Sequence, residues 1–381
     1  MNSTESVQSG LDRVQRVALI VGVAALAFCF WGAPRSPAQF FHSYLLAFVF
    51  WVGVALGCTA ILMLHHLVGG RWGTLLRRLL ESGTRNIYLM AALAVPLLFG
   101  IRIIYIWADP AQVRLDPILQ YKQPYLNVPF FIFRTVVYFA AWVALAIFLN
   151  KWSREQDQTA DPGPARLLRK LSGPGMVIYG LTVTFASVDW VMSLEPRWFS
   201  TIYGMIFMVT QALAAMSLVT LAVILLSARK PFSTLLSSRI LNDYGNLLLT
   251  FTMLWAYLSF SQYLIIWSGN LQEEIPWYVT RSSGGWSGIA VALIVFHFAV
   301  PFLLLLSRFV KRRTLWLGVV AAVQFVMSVM DIFWLTVPAF ERSGPQFHWM
   351  DWAAMLGIGG IWIWRFTASL GSCPLLPVHE S

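Results

Sequence analysis

The chain has 381 residues, of which 58% are hydrophobic and only 12% charged, with 18 Trp and 27 Phe. A soluble domain carries about a quarter charged residues, so a water-dispersed globular protein is excluded and an integral membrane protein is expected. The net charge of +10 would suit nucleic acid only as one patch, and here the basic residues fall in alternate loops instead.

At the N-terminus, MNSTESVQSGLDRVQRV is polar and the apolar run behind it lacks a small-residue cleavage site, so no cleavable signal peptide is expected. A helix needs ~20 apolar residues to cross ~30 Å of hydrocarbon. Windows of that kind run over 17–32, 41–68, 86–107, 127–150, 176–194, 201–227, 243–268, 286–308, 314–337 and 350–370. They predict an all-α, polytopic, single membrane domain with ten spans, a polar segment at 1–16 and a tail at 371–381. The longest internal connection, 151–175, is basic with Pro and Gly and reads as a solvated connector.

The loops test that count. The N-terminus and even-numbered loops hold Arg13 and Arg16; Arg71, Arg77, Arg78 and Arg85; Lys151, Arg154, Arg166, Arg169 and Lys170; Arg229, Lys230 and Arg239; and Arg308, Lys311, Arg312 and Arg313. The odd loops hold Arg35, Arg114, Lys122, Arg197, Arg281 and Arg342. Eighteen against six, in strict alternation, is a positive-inside pattern and places both termini in the cytoplasm.

Polar residues inside the spans follow in order. His65 and His66 close the second span before Leu67-Val68-Gly69-Gly70, as interfacial anchors or as the mouth of a proton entry route. Arg102 comes late in the third span with Tyr105 at i+3, and Arg134 early in the fourth with Tyr138 at i+4. Asp189 lies ~20 Å along the fifth span at ~1.5 Å per residue, and Glu195 stands at its outer boundary. Gln262 lies one turn from Ser259 near the outer end of the seventh, and the loop 269–281 adds Glu273 and Glu274 on the same side. His297 is midway in the eighth, where Pro301 cannot donate to its carbonyl, so ring and freed carbonyl are placed to bind water. Asp331 sits in the ninth, with Gln324 and Ser328 on its face.

By this count Arg102, Arg134, Asp189, Asp331 and Gln262 share one depth and are expected to form one polar cluster. Carboxylates at membrane depth cost a few kcal/mol, so they are kept for a reason. Two reasons stay open. One is ion pairs that lock helices, such as Arg134 with Asp189. The other is a proton-conducting or quinone-facing network in which arginine tunes the acids.

Other candidates are quieter. His42, His348 and His379 read as solvated groups at the outer edge, the outer loop and the tail. With one deep histidine, a bis-His haem is not expected. Cys29, Cys58 and Cys373 form no CxxC or CxxCH and read as filler, which excludes an iron–sulfur cluster and attached c-type haem. Trp190, Trp267 and Trp277 read as an interfacial belt.

Three stretches carry a resemblance: FWVGVALGCTAILMLHHLVGGRWG at 50–73, ASVDWVMSLEPRWFSTIYG at 186–204 and LWAYLSFSQYLIIWSGNLQEEIPWY at 254–278. They resemble the ActF subunits of bacterial alternative complex III, a quinol:cytochrome c or quinol:oxidase oxidoreductase, within the NrfD/PsrC-like superfamily of membrane subunits. The similarity runs through all ten spans. In one departure, Arg197 stands where the family's LEP motif is usually followed by His. The resemblance implies two four-helix bundles, spans 2–5 and 6–9, flanked by the first and last helices, in a bacterial inner membrane. It implies an ActC-like membrane subunit, an iron–sulfur subunit, haem-c subunits and small helical subunits as partners. It also implies quinone or menaquinone in the complex, no cofactor on this chain, and a proton-translocation role. On that view His65 and His66 lie near an entry, His297 midway, and Asp189, Glu195, Asp331 and Gln262 toward an exit. Arg102, Arg134, Tyr105, Tyr138, Glu273 and Glu274 are then ion-pair or quinone-facing groups. A quinol-binding anchor, a stand-alone ion-coupled transporter and a purely structural scaffold are the competing readings.

Overall fold

The computed structural model describes residues 3–159, 161–374 and 376, with side chains from Ser9 onward. Among these residues, nine helices are long and apolar enough to span a membrane, and a bent pair supplies a tenth. In chain order they are α1 (Ser9–Gly32), α2 (Pro37–Val68), α3 (Gly73–Leu93 bent by 57° into Val95–Ile104), α4 (Val128–Gln158) and α5 (Gly163–Leu194). The rest are α6 (Tyr203–Leu226), α7 (Ser238–Gly269), α8 (Trp286–Leu306), α9 (Thr314–Ala339) and α10 (Trp349–Gly371). The protein is an all-α, multi-pass membrane protein.

Packing divides the helices into the two bundles that the resemblance implies. In one, α2 packs on α3 and α5, and α4 on α3 and α5; in the other α6 packs on α7 and α9, with α8 against both. The bundles meet where α2 crosses α6, while α1 and α10 pair along their length and α10 also lies on α2. That central position explains why α2 is buried throughout its apolar window and reads as hydrophobic on every side. Close approach at the α2–α6 crossing requires Gly57, since a Cβ there would fall 2.1 Å from the Gln211 carbonyl oxygen. Small residues serve membrane helices in this way because backbone contact, not hydrophobic burial, drives their association.

Two sequence boundaries are corrected. The 151–175 segment is mostly helix: α4 continues to Gln158 and α5 begins at Gly163, so only a few residues connect them. The third span starts at Gly73 rather than 86, because the stretch expected as a basic loop is a helix with a strong apolar–polar division. Its Arg77, Arg78, Glu81 and Arg85 are all at most 4% exposed. Glu81 accepts from Arg77 Nε (2.9 Å), Arg78 Nη1 (2.7 Å) and the Ser153 hydroxyl, while Arg78 also clasps Asp157. Arg77 reaches Gln156 Oε1 (2.7 Å) on α4. Arg85 donates to Asn150 (2.7 Å), the Ser369 hydroxyl (3.0 Å) and the Cys373 sulfur (3.4 Å), so that cysteine is more than filler. Spacing at i+3 and i+4 lets the arginines reach Glu81 from one helix face.

Lys311 is likewise buried, donating to Asn246 (2.8 Å); burial and then Arg308 push its ammonium pKa down. We call the end of the molecule carrying the start of α1 and the end of α10 the terminal face, and the opposite end the far face.

Candidate functional site

The buried polar groups expected as one cluster separate into distinct centres. In the first bundle, Asp189 is fully buried near the end of α5. Arg134 on α4 grips it with two parallel bonds, Nε to Oδ2 and Nη2 to Oδ1, both 2.8 Å. Tyr138 donates to the same carboxylate at 2.7 Å. Arg134 also donates to the Tyr125 carbonyl (2.9 Å) and stacks over the Tyr125 and Phe130 rings. This carboxylate is held by three donors from α4, two of them from one cationic guanidinium. Of the two reasons left open, this geometry has the form of a helix lock between α4 and α5.

Tyr105 donates instead to the Trp190 carbonyl (2.9 Å). Trp190 itself is 7% exposed and Trp277 2%, so both are core; of the three tryptophans only Trp267, at 67%, has the exposure of a belt residue. Arg102 is exposed and makes no ion pair among the described residues, so it does not join the cluster. Glu273 is exposed and Glu274 half-buried, with no charged partner there either.

Glu195, just past α5, meets Arg281 at 2.7 Å. Arg281, expected in a solvated loop, is 1% exposed; it donates to the carbonyls of Trp334 (3.2 Å), Trp277 (3.3 Å) and Leu335 (3.0 Å) and lies 3.8 Å from the Trp277 ring centre. The pair ties the end of α5 to the end of α9. Nearby, Gln262 accepts from Ser200 (2.8 Å) and donates to Tyr278 (3.2 Å), again apart from Asp189.

The second bundle is built differently. Asp331 on α9 is 2% exposed and accepts at one oxygen from Thr210 (2.8 Å) and from the Trp255 indole (3.0 Å). Both donors are neutral. Trp255 stands edge-on to the His297 ring at 4.5 Å. His297 is fully buried, and neither ring nitrogen has a hydrogen-bond partner among the described residues. Its carbonyl, freed by Pro301, accepts from Gln324 Nε2 (3.1 Å), which also reaches Thr252 (2.8 Å). A side chain, rather than water alone, therefore occupies the position opened by the proline. Around the histidine, Leu293–Ala299 widens into a π-helix, a distortion frequent at functional sites.

On the terminal face, His65 is buried edge-on to Trp72 at 4.9 Å, and His66 Nε2 is enclosed without a partner among the described residues. On the far face, exposed Arg197 pairs with half-buried Asp116 (2.8 Å) and, chiefly through that bond, holds its carboxylate below the usual pKa. His42 and His348 are half-buried rather than solvated, and His379 lies outside the described residues.

A cleft of about 260 Å³ opens at the far face between the loop at Lys122 to Leu126 and the end of α5, with Trp198 and Phe199 on its rim. Arg134 and Asp189 lie just behind Tyr125 and Ser193 of its wall.

Sequence reasoning did not single out Thr210, Trp255 or Arg281. Trp255 falls inside the 254–278 motif, whereas Thr210 carries no local signal, because its role depends on α6 meeting α9. No family model matches this chain, and no curated protein does either.

Proposed function

We propose that this chain is a membrane subunit of a quinol-oxidising electron-transfer complex of the alternative complex III type, in a bacterial inner membrane, and that its second bundle carries protons. Support comes from the three motifs at 50–73, 186–204 and 254–278 and from one structural observation. Asp331 is buried with neutral donors only, beside a histidine whose two nitrogens are unpartnered among the described residues. A carboxylate without a cation can take up a proton at modest cost, while one held by a bidentate arginine stays ionised. The relay role therefore falls to Asp331 and His297 rather than to Asp189, which with Arg134 is the lock that holds the first bundle. An ActC-like subunit, an iron–sulfur subunit and haem-c subunits are the proposed partners, and these supply the redox centres.

The test uses the assembled complex in sealed vesicles. Asp331→Asn is expected to keep quinol turnover within several-fold and to lower the protons moved per electron. Unchanged stoichiometry in both Asp331→Asn and His297→Phe would sink the proposal. A second reading, a quinol-binding anchor, is favoured by the far-face cleft of about 260 Å³ with its aromatic rim. Photolabelling by a quinone analogue at Trp198 or Phe199 would support it.

A further inference from the structure

At the far face, a chamber of about 90 Å³ opens beside the start of α10. Its walls include His42 from the start of α2, Glu341 from just after α9, His348 from the following loop and Asp351 from the first turn of α10. A water needs about 10–15 Å³ on this measure, so several fit.

Asp351 is held by the Ser43 hydroxyl (2.5 Å), Gln39 Nε2 (3.3 Å) and the backbone N–H of His348 (2.9 Å). These donors are neutral. Glu81, Asp189 and Glu195 each carry an arginine instead. The His42 ring lies flat on Phe340 at 3.6 Å, and His348 Nδ1 accepts from the backbone of Met350 (3.2 Å). Other charged or titratable groups nearby are the Cys29 thiol, which feels Asp351, and two exposed arginines. Arg35 is folded onto Trp31, and Arg342 follows Glu341 in the chain. Neither makes a salt bridge to Asp351 or Glu341 among the described residues.

A helix cap explains part of this arrangement, since Asp351 and His348 form a capping box for α10. It does not account for His42 and Glu341, brought to the same chamber from two further elements. Position is the second observation. Val337 of the chamber wall lies six residues beyond Asp331 on α9, about 9 Å at ~1.5 Å per residue. Between them Thr336 Oγ1 is fully buried and unpartnered among the described residues.

We infer that this chamber is a hydrated proton-release site on the far face, with Asp351 as its principal acceptor. The inference rests on the proposed role of Asp331. A proton leaving neutral Asp331 passes by way of Thr336 and water to the Asp351 carboxylate, and then to solvent as hydronium. His42 and Glu341, with His348, pass that proton on from Asp351 to solvent. Only protons move, so no electron donor or acceptor is involved in the step.

The experiment follows proton release with a pH-sensitive dye during quinol turnover by the reconstituted complex. Asp351→Asn, which keeps an acceptor oxygen for Ser43 but not the second one that takes the His348 backbone N–H, is compared with Asp331→Asn. Release is expected to slow several-fold in Asp351→Asn, with the complex assembled, and infrared difference spectra should lose one titrating carboxylic-acid band. Unchanged release and an unchanged band in Asp351→Asn, with Asp331→Asn impaired, overturn the chamber and leave the second-bundle proposal standing. Normal proton coupling in Asp331→Asn overturns that proposal itself. If Asp351→Asn does not assemble, the double variant His42→Gln/Glu341→Gln takes its place, since neither side chain makes a cap bond; slowed release supports the chamber and normal release overturns it.

Discussion

At the level of single residues, the two buried aspartates illustrate how partners decide role. Asp189 and Asp331 both lie near the far end of the last helix of a bundle, each seven positions before a proline, Pro196 and Pro338. From sequence they look alike. Their partners differ: a bidentate arginine in one case, a threonine and an indole in the other. Removing one member of a buried pair leaves an uncompensated charge and costs about 3–5 kcal/mol. We expect Arg134→Leu to lower stability by about 3 kcal/mol, the smaller figure, because its guanidinium lies behind the wall of an open cleft. The double variant with Asp189→Leu should recover much of the loss, as read from denaturation midpoints in detergent. No recovery would mean that the pair is not a lock.

Position 197 behaves differently. Arg197 lowers the pKa of the half-buried Asp116. A depressed carboxylate adds stability above its unfolded pKa and loses it as pH falls through the lowered folded value. Arg197→Ala should therefore raise the Asp116 titration midpoint, measured by carbon chemical shift, without altering proton coupling.

At the level of elements, sequence reading is strongest where a helix is apolar and weakest where it carries paired charges. The windows for α6 and α8 fall within two residues of the observed ends, since hydropathy alone defines them. The first half of α3 reads as loop because Arg77, Arg78, Glu81 and Arg85 look solvated one at a time. Their partners Ser153, Gln156, Asp157 and Asn150 are on α4, and no local pattern names them. For the same reason Asp189 with Arg134 was legible as a candidate pair, while Arg281 with Glu195 was not. The π-helix of α8 was only half legible: Pro301 announced a freed carbonyl, but Gln324 arrives from another helix. Pro301→Ala restores a donor for the His297 carbonyl and should loosen the Gln324 contact. The expected outcome is a change in the pH profile of turnover with the complex intact.

On the scale of the whole molecule, the positive-inside pattern survives the corrections. Removing the buried Arg77, Arg78, Arg85 and Lys311 from the terminal face, and the buried Arg281 from the far face, still leaves a clear excess on the terminal side. The exposed Ser233, in the connection between α6 and α7, is a suitable probe of that orientation. With Cys373 replaced by Ser, a Ser233→Cys variant should react with an impermeant thiol reagent only from the cytoplasm. Labelling from outside would invert the topology.

The charged first half of α3 has a consequence for how the protein is made. Arginine at membrane depth is costly for an isolated helix; Glu81 offsets part of the charge from within α3, and Asp157, Gln156, Ser153 and Asn150 lie on the next helix to be synthesised. The third span is thus poorly suited to enter lipid on its own. It is expected to wait beside the insertion machinery until α4 emerges, and to pass into the bilayer with it as a hydrogen-bonded hairpin.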